Sequence, residues 1–156
     1  MIIVNYWTKP KNLAFASHKL QLMLNALIKN SALSPKVLVG VYIASPKQIA
    51  SLSIKKIKKA KHSTDSLAFP YSTFPEESLN AKIEEDDWCL GEIVLCPKRI
   101  ETGRANTLFG DWMVRKRLKE LLVHSFVHLL GYDHHSKEEW REMYFIEKKL
   151  LTNKSL

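Results

Sequence analysis

VLVGVYIASPKQ, residues 37–48, decides the fold. Val37 to Ala44 is an unbroken apolar run with three valines. That composition predicts a strand buried on both faces, as found where helices cover a sheet. The residues that follow predict a helix start. Ser45 can cap, Pro46 suits the first helical position and Gln48 completes a capping box.

Working outward, Met1 to Trp7 begins apolar and β-branched and predicts a first strand. Asn12 is placed to cap a helix reaching about Asn30, with Leu13, Ala16, Leu20, Leu24 and Leu27 at helical spacing. Pro35 sits in the break before residue 37. The helix opened by Ser45 carries Ile49, Leu52 and Ile57 and ends in a cluster of Lys55, Lys56, Lys58, Lys59 and Lys61. Ser66 to Phe69 reads as a short strand stopped by Pro70. An irregular acidic stretch follows, from Glu76 to Asp87. Trp88 to Cys96 reads as another strand, stopped by Pro97. A strong helical pattern runs from about Asp111 to Leu130 and ends at Gly131, a residue able to take the left-handed cap. Ser136-Lys137-Glu138-Glu139 is a second capping box and opens a last helix through Trp140, Met143, Tyr144, Glu147 and Leu150. The order β-α-β-α-β-β-α-α predicts an α+β fold of layered α/β type. It is read as a single domain over residues 1–156, a mixed four-stranded sheet packed with about four helices.

Composition narrows the class. The chain has 156 residues, 46% apolar and 26% charged, which suits one globular domain and disfavours disorder or coiled coil. A formal charge of +8 favours a polyanionic partner or simply solubility. The longest uncharged apolar run is about half the roughly 20 residues a membrane helix needs, so no membrane-spanning role is expected. Cys89 and Cys96, in one strand, are expected to face opposite sides and not to bridge. With no disulfide framework and no signal peptide, the expected location is the cytoplasm.

The chemistry lies in HSFVHLLGYDH, residues 124–134. His124 and His128 are one helical turn apart and project from one face. Gly131 turns the chain, and His134 arrives three residues later to complete a three-nitrogen face on the C-terminal helix and its following loop. An isolated helical histidine is ordinarily a packing or surface residue, and His18 and His62 receive that reading. Three at H-x3-H-x2-G-x2-H read as ligands of one ion per chain. His135 is read as a bystander, able to substitute for His134. Imidazoles suit Zn2+ best, with Ni2+ and Cu2+ as alternatives. Three protein ligands leave a tetrahedral ion one open position, as in catalytic rather than structural zinc. The spacing matches the long zinc-protease motif, but that motif needs glutamate directly after the first histidine. Ser125 stands there, and a serine hydroxyl is too weak a base. Asp65 and Asp133 are candidate general bases; Asp133 is more simply a group that orients an imidazole, and Asp65 equally a residue that caps or fixes a turn. Lys55 to Lys61, with Arg115, Lys116, Arg117 and Lys119, could neutralise a phosphate backbone. Trp112, Trp140 and Tyr144 fall on helical periodicity and are expected in the core rather than as base-stacking platforms.

At this point the sequence resembles the YbeY family. HSFVHLLGYDH resembles that family's H-G-x-L-H-L-x-G-Y-D-H signature. SLSIKKIKKAKHSTDSLAFPY, residues 51–71, resembles the stretch through its P-T-D/N-V-L-S-F-P-F segment, and LGEIVLCP, residues 90–97, its L-G-D-I-V-I-C-P strand. The resemblance implies a zinc-dependent, single-strand-specific endoribonuclease acting in ribosomal RNA maturation, notably at the small-subunit 3′ end, and in ribosome quality control. It implies RNA and the ribosome or its small subunit as partners. It also implies zinc ligation by His124, His128 and His134, and an RNA-contacting role for Lys58, where the family has arginine. Further departures are Ser125 for glycine, Ser63 for proline, Ala68 for serine and Glu92 for aspartate. Beside the endoribonuclease, two other readings stand: a zinc metallopeptidase-like hydrolase, and a non-catalytic ribosome-associated protein with a structural metal.

Overall fold

A computed structural model describes residues 2–31, 33, 37–56, 64–70, 88–101 and 110–152. Its elements are β1 (Ile2–Tyr6), a 3-10 turn (Leu13–Phe15), α1 (Ser17–Asn30), β2 (Val37–Ile43), α2 (Pro46–Lys56), β3 (Ser66–Pro70), β4 (Trp88–Leu95), α3 (Pro97–Glu101), α4 (Gly110–Leu129) and α5 (Lys137–Leu151). The four strands form one mixed sheet in the order β1-β2-β4-β3. β1, β2 and β4 run parallel, and β3 is antiparallel to β4 at the edge. The α+β expectation holds, with five α-helices rather than about four among the described residues.

β2 alternates instead of being buried throughout. Val37, Val39, Val41 and Ile43 are fully buried, whereas Leu38, Gly40 and Tyr42 are half-buried. The buried set faces the main core, with Leu20, Leu24 and Leu27 of α1 and Leu118, Leu122 and Phe126 of α4. The other face carries a smaller cluster in which Ile49 of α2 packs with Leu67, Val94 and Cys96. Tyr42 there donates to Glu92 Oε1 at 3.0 Å, a hydrogen bond that holds the Tyr42 proton and raises its pKa.

The first helix starts later than its sequence suggests. The Asn12 side chain does cap, but it accepts the Ala14 N–H of the 3-10 turn. Tyr6 takes the Phe15 carbonyl at 2.9 Å, and Ala16 is extended, so α1 begins afresh at Ser17 without a side-chain cap. Pro97 does not merely end β4; it is the first residue of α3, where proline is well suited. Pro70 closes β3, an edge strand where a missing N–H is tolerated. Both capping boxes form: Ser45 with Gln48, and Ser136 with Glu139.

One glycine in the sheet is dictated by space. β4 bulges between Cys89 and Gly91, and Gly91 takes a φ of 141°. A Cβ there would lie 2.3 Å from the Phe69 carbonyl oxygen and 2.9 Å from a Leu129 methyl. β3 and the end of α4 therefore approach β4 closely at this point, which brings β3 beside the histidine helix. Both cysteines are free, and burial pushes the Cys96 thiol pKa up. No described helix is long and apolar enough to cross a membrane.

Candidate metal centre

α4 buries one side in the core through Val114, Leu118, Leu122, Phe126 and Leu129. His124 and His128, a turn apart, stand on its groove-facing side with their ring nitrogens Nε2 3.2 Å apart. The helix then ends in a Schellman motif. The Gly131 N–H returns to the His128 carbonyl at 3.0 Å and the Tyr132 N–H to the Val127 carbonyl at 3.3 Å, with Gly131 at φ 94°. This turn brings His134 back over the helix end, so that one nitrogen from each of His124, His128 and His134 falls within 4.8 Å of the others. The ring centroids are 4.6, 5.1 and 5.5 Å apart.

The outward ring nitrogens are tied back. His128 Nδ1 lies 2.9 Å from the Tyr132 carbonyl, which can only accept, so Nδ1 carries the hydrogen. His124 Nδ1 lies 2.6 Å from Glu147 Oε1 of α5, which fixes the same tautomer against a carboxylate. Burial, with the neighbouring His124 ring, lowers the His128 pKa, which favours the neutral ring. The two Nε2 atoms then face each other at 3.2 Å, a spacing at which both can donate to one cation. The three histidines fit a metal ion, and nitrogen-only donors fit zinc, nickel or copper better than calcium or magnesium.

Asp133 lies at the margin of this cluster. It accepts the His134 N–H at 2.9 Å and sits 3.0 Å from His135 Nε2. Burial alone would raise its pKa, but that N–H and the surrounding rings hold it below the usual carboxylate value. His135 is 83% exposed on its side chain and stays outside the cluster, so the turn selects His134. Ser125 is 1% exposed and its hydroxyl donates to Ser66 Oγ at 3.3 Å, joining α4 to β3.

The cluster opens into a groove of about 1330 Å³ between β3, α4 and α5. Thr64, Asp65 and Ala68 line one side, Arg117 and Glu120 another, and Tyr144 and Glu147 a third. Asp65 meets Arg117 at 3.4 Å, and Arg117 also reaches Glu120 at 3.7 Å. Arg117 thus faces the groove as part of a carboxylate-paired network. Arg115 is exposed and lies nine residues before His124, on the opposite side of α4, away from the groove. Lys58 lies outside the described residues, as do Ile57, Lys59, Lys61 and the acidic residues from Glu76 to Asp87. Trp112, Trp140 and Tyr144 are not in the core as their periodicity suggests; all three are exposed.

Glu147 is the site residue that the sequence pattern passed over. It sits on the stripe of α5 that buries Met143 and Leu150. A carboxylate on an otherwise apolar stripe is the signal that could have found it, because a half-buried charge needs a partner.

The chain matches the sequence model of the family described as endoribonuclease YbeY over residues 5–155. The endoribonuclease YbeY of Parafrankia sp. (strain EAN1pec) is 40% identical over 91 residues, covering 58% of this chain and 55% of that protein. The endoribonuclease YbeY of Frankia casuarinae is 29% identical over 121 residues, 77% of this chain and 58% of that protein. This chain therefore spans little more than half the length of these two relatives. The match to endoribonuclease YbeY of Mycoplasmopsis synoviae (strain 53) is 28% identical and covers 92% of this chain and 87% of that protein. In fold, the chain is similar to the solution structure of TM1509 from Thermotoga maritima, with a TM-score of 0.53 and 24% identity over 99% of this chain and 95% of that one. With only its first four residues and its last outside the match, the chain belongs to the endoribonuclease YbeY family.

Proposed function

We propose that this chain is a zinc-dependent endoribonuclease that cuts single-stranded RNA, with His124, His128 and His134 holding one zinc ion. The observation that carries this reading is the meeting of two Nε2 atoms at 3.2 Å while both Nδ1 atoms are held by acceptors. Bound there, zinc would supply a Lewis acid for phosphoryl charge and activation of water near neutral pH.

The chain's own groups do the rest. Glu147 and the Tyr132 carbonyl hold two imidazoles in one tautomer and orientation, as groups behind metal ligands commonly do. Asp133 fixes the backbone at His134. Arg117, held between Asp65 and Glu120, is in place to meet a phosphate in the groove. Lys58 is assigned to substrate phosphate through the family resemblance alone. A lysine there is a point charge and grips less specifically than the family's arginine.

Two features favour RNA cleavage over the other readings. A peptidase of this spacing needs a carboxylate at position 125, and the serine there is buried and turned to Ser66. A structural metal would be sealed, whereas His134 is exposed and the cluster opens into the groove. The proposed setting is ribosomal RNA maturation at the small-subunit 3′ end and ribosome quality control, on the ribosome or its small subunit, in the cytoplasm.

The test compares labelled single-stranded RNA with casein, with and without chelator. RNA should be cut, chelator should stop cutting, added zinc should restore it, and casein should stay intact. Cleavage of casein, or intact RNA with zinc-loaded protein, would overturn the reading. Lys58→Ala should slow RNA cleavage while zinc content is unchanged.

A further inference from the structure

Trp140 and Tyr144 stand in solvent, 54% and 50% exposed. Large aromatic surface of this kind is ordinarily buried. The two rings are nearly parallel, 6° apart in plane, with centroids 5.2 Å apart. One helical turn separates them, so α5 itself builds the stack. Tyr144 lines the metal groove together with Glu147, the carboxylate that holds His124. The stack therefore starts at the groove wall.

Three of the four cations on α5 gather beside that stack. At 3.6 residues per turn, Lys137, Lys148 and Arg141 follow Tyr144 within about 60° on the side away from Glu147. All three are exposed. Glu138, Glu139, Glu142 and Lys149 lie farther round the helix, about 120° or more from Tyr144. From the groove outward, α5 presents a carboxylate, two stacked aromatics, then three cations.

We propose that Trp140 and Tyr144 form a base-stacking platform that seats one or two nucleobases of a single-stranded RNA beside the metal groove, with Lys137, Arg141 and Lys148 on its phosphates. This rests on the RNA reading given above. Every nucleobase has a π-face, so such a platform binds without reading sequence. A paired duplex hides those faces within its own stack, so the platform admits single strands and excludes helices. The order of groups matches a strand lying along α5, its bases on the rings and its backbone on the cations, leading into the three-histidine cluster.

The test measures binding of a labelled 2′-O-methyl oligouridylate of about 12 nucleotides, which resists cleavage, and of the same strand with abasic positions. Trp140→Ala and Tyr144→Ala should each weaken binding about five- to a hundredfold, the stacking contribution of roughly one base. Tyr144→Phe should stay within about twofold of wild type, because it keeps the ring. Wild type should prefer the base-bearing strand over the abasic one by a similar factor, and Tyr144→Ala should lose that preference. Circular dichroism and metal content should match wild type in every variant. Trp112→Ala removes an exposed tryptophan that does not line the groove, and should leave binding unchanged. Equal binding of base-bearing and abasic strands by wild type, or alanine variants that bind as wild type does, would overturn the platform alone. A loss as large in Trp112→Ala would do the same. Absence of binding to either strand by wild type would sink the RNA reading and the platform with it.

Discussion

Glu147 on α5 accepts a hydrogen bond from His124 Nδ1 on α4, at 2.6 Å and across 23 residues of sequence. The carboxylate orients the ring and makes its Nε2 a better donor to a cation. Glu147→Ala should weaken zinc affinity about 10- to 100-fold, read by competition with a chromophoric chelator. Glu147→Gln keeps an acceptor without the charge and should fall between the two. Wild-type affinity in Glu147→Ala would show that the hydrogen bond is incidental.

His128 and His135 make a contrasting pair. His128→Ala should abolish zinc loading, measured by plasma mass spectrometry, and RNA cleavage with it. His135→Ala, outside the cluster and solvated, should load zinc normally. A His128→Ala protein that still cut RNA at the wild-type rate without metal would refute the mechanism.

The lowered pKa of His128 sets a pH dependence. Burial, then the His124 ring, disfavours its charged form in the fold. As pH falls, the unfolded chain takes up this proton first, near pH 6.5. This contribution to stability is thus complete above about pH 6.5 and is lost as pH falls through the lowered folded value. Metal-stripped wild type should lose more melting temperature between about pH 7.5 and pH 5 than His128→Gln does. Equal losses would mean that His128 titrates alike in both states.

Gly91→Ala tests the close approach of β3 to β4. Its Cβ would meet a backbone oxygen at 2.3 Å, at a φ of 141° that L-residues rarely adopt. The expected loss is on the order of 3 kcal/mol, or roughly 6–12 °C in thermal melting. A melting point within a degree or two of wild type would mean that the bulge relaxes freely. Gly131→Ala, at φ 94° and outside the sheet, should cost about 1–2 kcal/mol and loosen His134 as well.

The parts of the molecule legible in the sequence are those written locally. The histidine spacing, the stop at Gly131 and both capping boxes depend on residues a few positions apart, and each forms. Contacts between distant elements were not legible. Nothing near Asn12 reveals that Tyr6 takes the Phe15 carbonyl and delays α1. Pro97 marks a boundary, yet sequence alone does not tell the end of β4 from the start of α3. Helical periodicity groups Trp140 and Tyr144 with Met143, but they stand about 60° and 100° round the helix from it, past the edge of the buried stripe. Glu147 gained its meaning only when α5 packed against α4.

All three clustered imidazoles come from 11 consecutive residues, 124 to 134. Donors drawn from distant parts of a chain would need long loops to close. Here one helical turn and one reverse turn suffice, so the donor set assembles with little entropic penalty. It should re-form early when the chain recovers from denaturant, ahead of the nonlocal pairing of the parallel strands.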